Sequence, residues 1–282
     1  IIIHTFHGNV FHSYFNKYKT LFFKFVERFL AYFSTAIIAI SEKQKYDLIY
    51  NKICSIEKIQ VINLGFDLKK FIVDKKNKRD SFRKEFDIKK DEIAIGIVGR
   101  LDPIKNHTFF LDAIKYLKEK SKNKIRAFII GDGIELQNLL NHSKSLELNY
   151  NDVNDSKFSE TICFCSWRDD IDYVNSGLDI MALTSLNEGT PVSLIEAQAS
   201  SLPIVTLNVG GVEDIVLENK TALIANSRDE FLLKLLDCTD NIKLREELSL
   251  HGEKFAFSRF GKDRLVMDIA NLYKKYYALK FN

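Results

Sequence analysis

Residues 179–208 read DIMALTSLNEGTPVSLIEAQASSLPIVTLN. Two short, largely apolar runs, DIMALT and PIVTLN, are bounded by turn residues, which is the mark of strands buried on both faces. Between them, PVSLIEAQASS has helical character and carries Pro191 where a proline suits the first helical position. Strand, loop, helix and strand in some thirty residues make a βαβ unit with parallel strands. The loop and helix also hold two glutamates, Glu188 and Glu196, eight residues apart. Pro191 as the first helical residue leaves Glu188 in the loop and puts Glu196 about a turn and a half into the helix. A helix start offers unpaired N–H groups and a positive dipole end. Gly189 allows a tight turn there. Such a loop suits a phosphate or sugar, with each carboxylate accepting O–H donors from a pair of hydroxyls.

The same alternation continues outward. IAIGIVG, IRAFIIG, TICFC and TALIA read as further buried strands. HTFFLDAIKYLKEK is a helix with Phe109, Phe110, Ala113, Ile114 and Leu117 inward, and IELQNLLNHSKSLEL, RDDIDYVNSG and VEDIVL are also helical. The last fifty residues are helical throughout. The predicted fold class is α/β, with residues from 91 onward forming a doubly wound parallel sheet covered on both faces. Such sheets bind ligands beyond the carboxyl ends of their strands. The segments there are GRLDPIK, GDG, SWRD, SLNEGTP and NVGGVED. Gly99 and Arg100 followed by Lys105 put two cations beside a tight turn, which suits a diphosphate. Gly131 and Gly133 either let backbone approach a ligand closely or make a turn. Neither a dinucleotide G-x-G-x-x-G nor a G-x-x-x-x-G-K-[ST] phosphate loop is present. Asp170-Ile171-Asp172 has the D-x-D form of a metal-dependent transferase but opens a predicted helix, where acidic residues serve as caps. No metal site is predicted.

In order, GR-x4-K, GDG, WRDD, and E-x7-E within EGTPVSLIEA, followed by the GG pair, resemble the retaining glycosyltransferases of family 4, which have the GT-B fold. VINLGFDLKKF resembles their interdomain segment and HTFHGNVF a segment of their N-terminal domain, so the resemblance covers nearly the whole chain. It implies two Rossmann-like domains, the N-terminal one incomplete, and a nucleoside-diphosphate sugar as substrate rather than a bound cofactor. UDP is the expected nucleotide, and the expected chemistry is metal-independent transfer to a lipid-linked, polysaccharide or other glycan acceptor of the cell envelope. Arg100 and Lys105 would hold the diphosphate, with Gly99 beside them. Glu188 would hold the transferred sugar together with the backbone around Gly189, Thr190, Pro191 and Val192. Glu196 would hold the ribose. Trp167 and Arg168 would border the base, and His7 would lie near the transferred sugar. The family usually has glycine where this chain has Ser166 and Ser201.

The chain has 282 residues and a net charge of +3. Residues 1–90 hold 18 Lys and Arg against 9 Asp and Glu, and the remainder 23 against 29. A basic front favours an anionic partner, such as an anionic membrane surface or nucleic acid, or is simply a solvated face. A site both acidic and basic speaks against nucleic acid. Four cysteines without a completing ligand set are expected to be buried thiols. The opening IIIHTFHGNVF has no Met and reads as the inside of a domain, with sequence missing upstream. Residues 21–40 are the most apolar, but Lys24, Glu27 and Arg28 interrupt them, so no spanning helix is expected. Phe22, Phe25, Val26, Phe29, Leu30 and Phe33 share one helical face, expected to be core, with a membrane-surface face as the alternative. AIIAI is a buried strand, and Ser41 to Gln44 form a capping box.

The expected domains are 1–70 (acceptor side), 71–265 (nucleotide-sugar binding) and a helix over 266–282 packing back toward the first. The expected location is cytoplasmic, peripheral on the inner face of the membrane. Two readings compete with transfer: a UDP-sugar 2-epimerase of the same fold and a non-catalytic nucleotide-sugar-binding fragment.

Overall fold

The computed structural model describes residues 1–7, 17–151 and 160–281. The chain divides into two units, one of Ile1–Asp67 with Ser258–Asn282 and one of Leu68–Phe257.

In the first unit, strands β1 (Ile3–Phe6), β2 (Ala36–Ala39) and β3 (Ile59–Val61) form a parallel sheet in that order. Helix α1 (Lys17–Phe33) joins β1 to β2, and α2 (Glu42–Tyr50) joins β2 to β3. Every residue of β2 is buried, as its unbroken apolar run requires. Ser41 caps α2 by accepting from the Gln44 N–H, while the Gln44 side chain reaches back to the N–H of Ile40, one residue beyond the expected box. The face of α1 expected to be core is turned outward instead. Phe22, Phe25, Phe29, Leu30 and Phe33 are all exposed. The inward side holds Ala31, buried against Phe6, Ile37 and Ile59. Polar bonds fix the helix: Arg28 donates to the carbonyls of Asn51 and Lys52, and Lys58 Nζ donates to those of Ala31 and Tyr32 at 3.1 and 3.0 Å. Those carbonyls end the helix, so the ammonium complements its dipole. Of the segment HTFHGNVF, residues 8–11 lie outside the described residues.

The second unit opens with α3 (Lys75–Glu85) and alternates through β4 (Glu92–Val98), α4 (His107–Lys120), β5 (Lys124–Ile130), α5 (Leu136–Ser145), β6 (Tyr150–Asn151), β7 (Ile162–Phe164), α6 (Ile171–Gly177), β8 (Ile180–Leu183), α7 (Val192–Ala199), β9 (Ile204–Leu207), α8 (Val212–Ile215), β10 (Ala222–Ala225) and α9 (Arg228–Asp240). Helix α10 (Ile242–Phe260) follows and runs across the division between the units. The seven strands form one parallel sheet in the order β10-β9-β8-β4-β5-β7-β6. The chain builds outward from β4 in one direction through β5, then returns to β8 on the other side of β4. That is a doubly wound sheet with its switch point between β4 and β8. Phe109, Phe110, Ala113, Ile114 and Leu117 of α4 are all buried in the core cluster, as expected. Asp179 just before β8 is clamped by Arg79 and Arg83 of α3 at 2.6 and 3.0 Å, which fixes that helix to the sheet. The cysteines are unpaired, and Cys163, Cys165 and Cys238 are buried. Burial pushes the Cys238 thiol up to about 12.

The last helix, α11 (Lys262–Phe281), belongs to the first unit, where Leu265, Ile269, Leu272 and Tyr276 pack on Ile38 and Ile62. Among the described residues no helix is long and apolar enough to cross a membrane.

Candidate functional site

The expected site residues of the second unit come from the loops after β4, β5, β7 and β8 and from α7. These loops are joined sideways by backbone hydrogen bonds: Leu186 N–H to Ile104 O at 2.8 Å, Gly99 N–H to Ile130 O at 3.0 Å, Leu101 N–H to Asp132 O and Gly131 N–H to Ser166 O, both at 2.9 Å. The loop after β9 joins too, with Gly211 N–H to Glu188 O at 3.1 Å. Two glycines make this seam feasible. A Cβ on Gly131 would overlap the Gly99 carbonyl oxygen, and one on Gly210, whose φ is +56°, would overlap that of Glu188. The close approach foreseen at Gly131 and Gly133 is therefore to the backbone of Gly99 and Leu101.

Across the switch point, Lys105 Nζ donates to Glu188 Oε1 at 2.6 Å. The glutamate side chain is 8% exposed and the lysine 24%. Ser185 Oγ, in a fully buried residue, donates to the same oxygen at 2.6 Å. Asn106 and Thr184 tie the two loops together below this pair, Nδ2 donating to the Thr184 carbonyl at 3.1 Å and Oγ1 to the Asn106 carbonyl at 3.0 Å. The Gly99 Cα faces the Lys105 side chain, whereas a Cβ on Gly189 would meet nothing within 4 Å. A partly buried cation–carboxylate pair thus lies next to open space at Gly189, at the end of the sheet where α/β folds take ligands.

The other expected residues divide. Arg100 stays at the surface, 3.3 Å from Asp102. Thr190 is half-buried and Pro191 buried. Pro191 occupies the N-cap of α7, so Val192, not the proline, is the first helical residue. Glu196 is half-buried in α7, and burial raises its pKa, with Lys70 opposing and Asp172 adding. Trp167 is exposed and donates from Nε1 to Asp169 at 3.0 Å. Arg168 is held by Asp170 through two bonds and by Glu85. Asp170 and Asp172 supply no side-chain cap to α6. Asp170 pairs with Arg168, and Asp172 with Lys78 at 2.7 Å, because neighbouring cations outcompete the helix N–H groups for them. His7 lies in the first unit, exposed just past β1.

The model of the glycosyl transferases group 1 matches residues 78–255. The chain belongs to this family. It is 33% identical over 237 residues to the UDP-Gal:alpha-D-GlcNAc-diphosphoundecaprenol alpha-1,3-galactosyltransferase of Escherichia coli, which covers 84% of this chain and 57% of the relative. It is 25% identical to the Staphylococcus aureus capsular polysaccharide biosynthesis glycosyltransferase CapM, over 92% of this chain and 66% of that one. The chain therefore spans less than two thirds of these relatives. Among solved structures it is similar to Anabaena HepE in complex with UDP, with a TM-score of 0.82 at 18% identity over 97% of this chain and 72% of that one. This likeness and the parallel α/β construction of both units bear out the GT-B fold.

In this member of the family, the sequence reading missed Ser185, Asn106, Thr184 and His107. Ser185 stands three residues before Glu188, close enough in a loop to have signalled a partner. His107 opens α4, is 2% exposed, and neither ring nitrogen has a hydrogen-bond partner among the described residues. Burial lowers its pKa to about 4, Asp102 opposing and Lys105 assisting. The positions where glycine is usual, Ser166 and Ser201, both have left-handed backbone, each with φ +54°.

Proposed function

We propose that the chain is the donor-binding and catalytic part of a retaining, family 4 glycosyltransferase that moves a sugar from a UDP-sugar to a lipid-linked or polysaccharide acceptor. The observation that carries this reading is the Lys105–Glu188 pair spanning the switch point beside the open face of Gly189. Breaking the bond between the anomeric carbon and the diphosphate leaves negative charge on the departing group. Lys105 and Arg100 are the cations in reach of that loop, and the start of α7 adds its positive end. In this reading Lys105 leaves Glu188 for the diphosphate as donor enters, and the freed carboxylate takes sugar hydroxyls. The two cations and the helix end neutralise the leaving group without a metal. Glu196 accepts from the ribose; the burial that raises its pKa keeps this carboxylate from water. Trp167 borders the base. The UDP donor is supported by the Escherichia coli relative's name and by UDP in HepE, and the lipid-linked acceptor by that relative's diphosphoundecaprenol substrate.

Calorimetry with UDP, GDP and ADP on the 282-residue chain, Lys105→Ala and Glu196→Ala tests the reading. UDP is expected to bind best, and each variant to weaken it by at least about tenfold, the loss of one charge-assisted contact. Absence of binding to all three, or equal affinity in the three proteins, overturns it.

A further inference from the structure

The carboxylate of Glu188 is used unevenly. Lys105 Nζ and Ser185 Oγ both donate to Oε1, each at 2.6 Å, and among the described residues nothing donates to Oε2. The two donors differ in how firmly they are held. Lys105 ends a flexible stem and its side chain is 24% exposed, so the ammonium can swing to another acceptor. Ser185 is fixed. It stands just beyond β8, and both it and Thr184 are fully buried. The main chain is pinned on either side of it: the Thr184 carbonyl accepts from Asn106 Nδ2 at 3.1 Å, and the Leu186 N–H donates to the Ile104 carbonyl at 2.8 Å. Thr184 Oγ1 adds a bond to the Asn106 carbonyl at 3.0 Å. The serine hydroxyl is left with rotation about χ1 alone, and its bond to Glu188 settles that.

A fixed donor does what a mobile lysine cannot. Glu188 sits in a loop beside Gly189, where a Cβ would meet nothing within 4 Å, and its side chain turns about several bonds. A hydroxyl anchored at the end of the sheet removes that freedom at Oε1. It leaves Oε2, with its lone pairs, as the oxygen that can accept from a ligand. We infer that Ser185 is the positioning residue of Glu188: it keeps Oε1 when a ligand draws Lys105 away, so that Oε2 meets a hydroxyl of the bound sugar already oriented. Ser185 touches no substrate and acts through Glu188. The cost of ordering the carboxylate then falls on folding rather than on binding. This inference rests on the donor site proposed above and deepens it, giving the two carboxylate oxygens separate tasks.

Calorimetry with UDP, UDP-galactose, UDP-glucose and UDP-N-acetylglucosamine separates this role from a merely structural one. The proteins are the full 282-residue chain, Ser185→Ala, Ser185→Cys, Glu188→Ala and the double variant Ser185→Ala/Glu188→Ala. The quantity read is the affinity for the best-bound UDP-sugar divided by that for UDP, because UDP lacks the group that Glu188 meets. Ser185→Ala should lower this ratio at least about fivefold, the loss of one bond to a charged acceptor. Cysteine, of similar size with a weaker donor, should lower it less. With Glu188→Ala already in place, Ser185→Ala should change the ratio by less than about twofold. The inference is overturned if Ser185→Ala leaves the ratio unmoved, weakens UDP as much as the UDP-sugar, or keeps its effect without Glu188. It is also overturned if the parent binds UDP but none of the three UDP-sugars. Should Ser185→Ala not fold, the decision passes to Ser185→Cys, where an unmoved ratio overturns it. A parent that binds no UDP removes the donor-site reading and this inference with it, whereas UDP binding with an unmoved ratio removes this inference alone.

Discussion

The Lys105–Glu188 pair can be weighed by a double-mutant cycle of Lys105→Ala and Glu188→Gln. The two charges are 2.6 Å apart, on side chains 24% and 8% exposed. Their attraction at an effective dielectric of 20 is at least about 4 kcal/mol, and desolvation of both partners returns most of it. A coupling of about 1–2 kcal/mol should remain, above the usual surface pair and below a fully buried one. Lys105→Ala should cost about 2–3 kcal/mol, because it leaves a nearly buried carboxylate with only the Ser185 hydroxyl. Glu188→Gln should cost about 1 kcal/mol, since the amide oxygen still accepts from Ser185 and the lysine still reaches water. The assay is urea unfolding followed by the fluorescence of the single tryptophan, Trp167, which lies in the unit that holds the pair. Repeating the cycle with saturating UDP adds the functional half. If Lys105 turns to the diphosphate, the coupling should shrink toward zero. Additive effects within about 0.3 kcal/mol without ligand would show that the pair adds nothing to the bonds that Asn106, Thr184 and the backbone already make between the two loops. A coupling untouched by bound UDP would refute the exchange of partners.

Two further outcomes follow from the same coordinates. Ser166→Gly should raise stability by about 0.5–1 kcal/mol, because the serine has φ +54°, while Ser201→Gly should gain less, having lost its hydroxyl bond to Glu253; thermal melts compare them. His107, with its folded pKa lowered to about 4 from 6.5, binds fewer protons folded than unfolded, so its contribution is complete above pH 6.5 and is lost as pH falls toward 4. That amounts to about 2 kcal/mol between pH 7.5 and pH 5. Glu196, with its raised pKa, acts in the opposite sense over the acid part of that range. A His107→Asn variant should flatten the loss in denaturant titrations, and an unaltered slope would place the pH sensitivity elsewhere.

The sheet of the second unit was readable because its longer strands are mostly apolar runs between turn residues, interrupted in β5 by the buried Arg126. Strand β6, two residues long, has no pattern to read. The loops at the strand ends were equally legible, since glycine and charge cluster there. Their internal wiring was not: Ser185 looks ordinary until folding sets it on Glu188, and His107 until folding buries it. Helix α1 shows the limit most sharply. Periodicity established that Phe22, Phe25, Phe29 and Phe33 share a face, but a period has no direction. The bonds that turned the other face inward come from Asn51, Lys52 and Lys58, distant in sequence. The D-x-D motif failed for a related reason, as its partners Arg168 and Lys78 decide where the carboxylates go.

The glycine seam between the strand-end loops bears on how such a site can diversify. Where Gly131 meets Gly99 and Gly210 meets Glu188, main chain lies on main chain, and no side chain sets the spacing. Residues on the open side, such as Leu186 and Trp167, can therefore be exchanged without moving Lys105. Under the function proposed above, the frame is inherited as backbone and donor choice as side chains, so single substitutions change the donor while the frame stays in place.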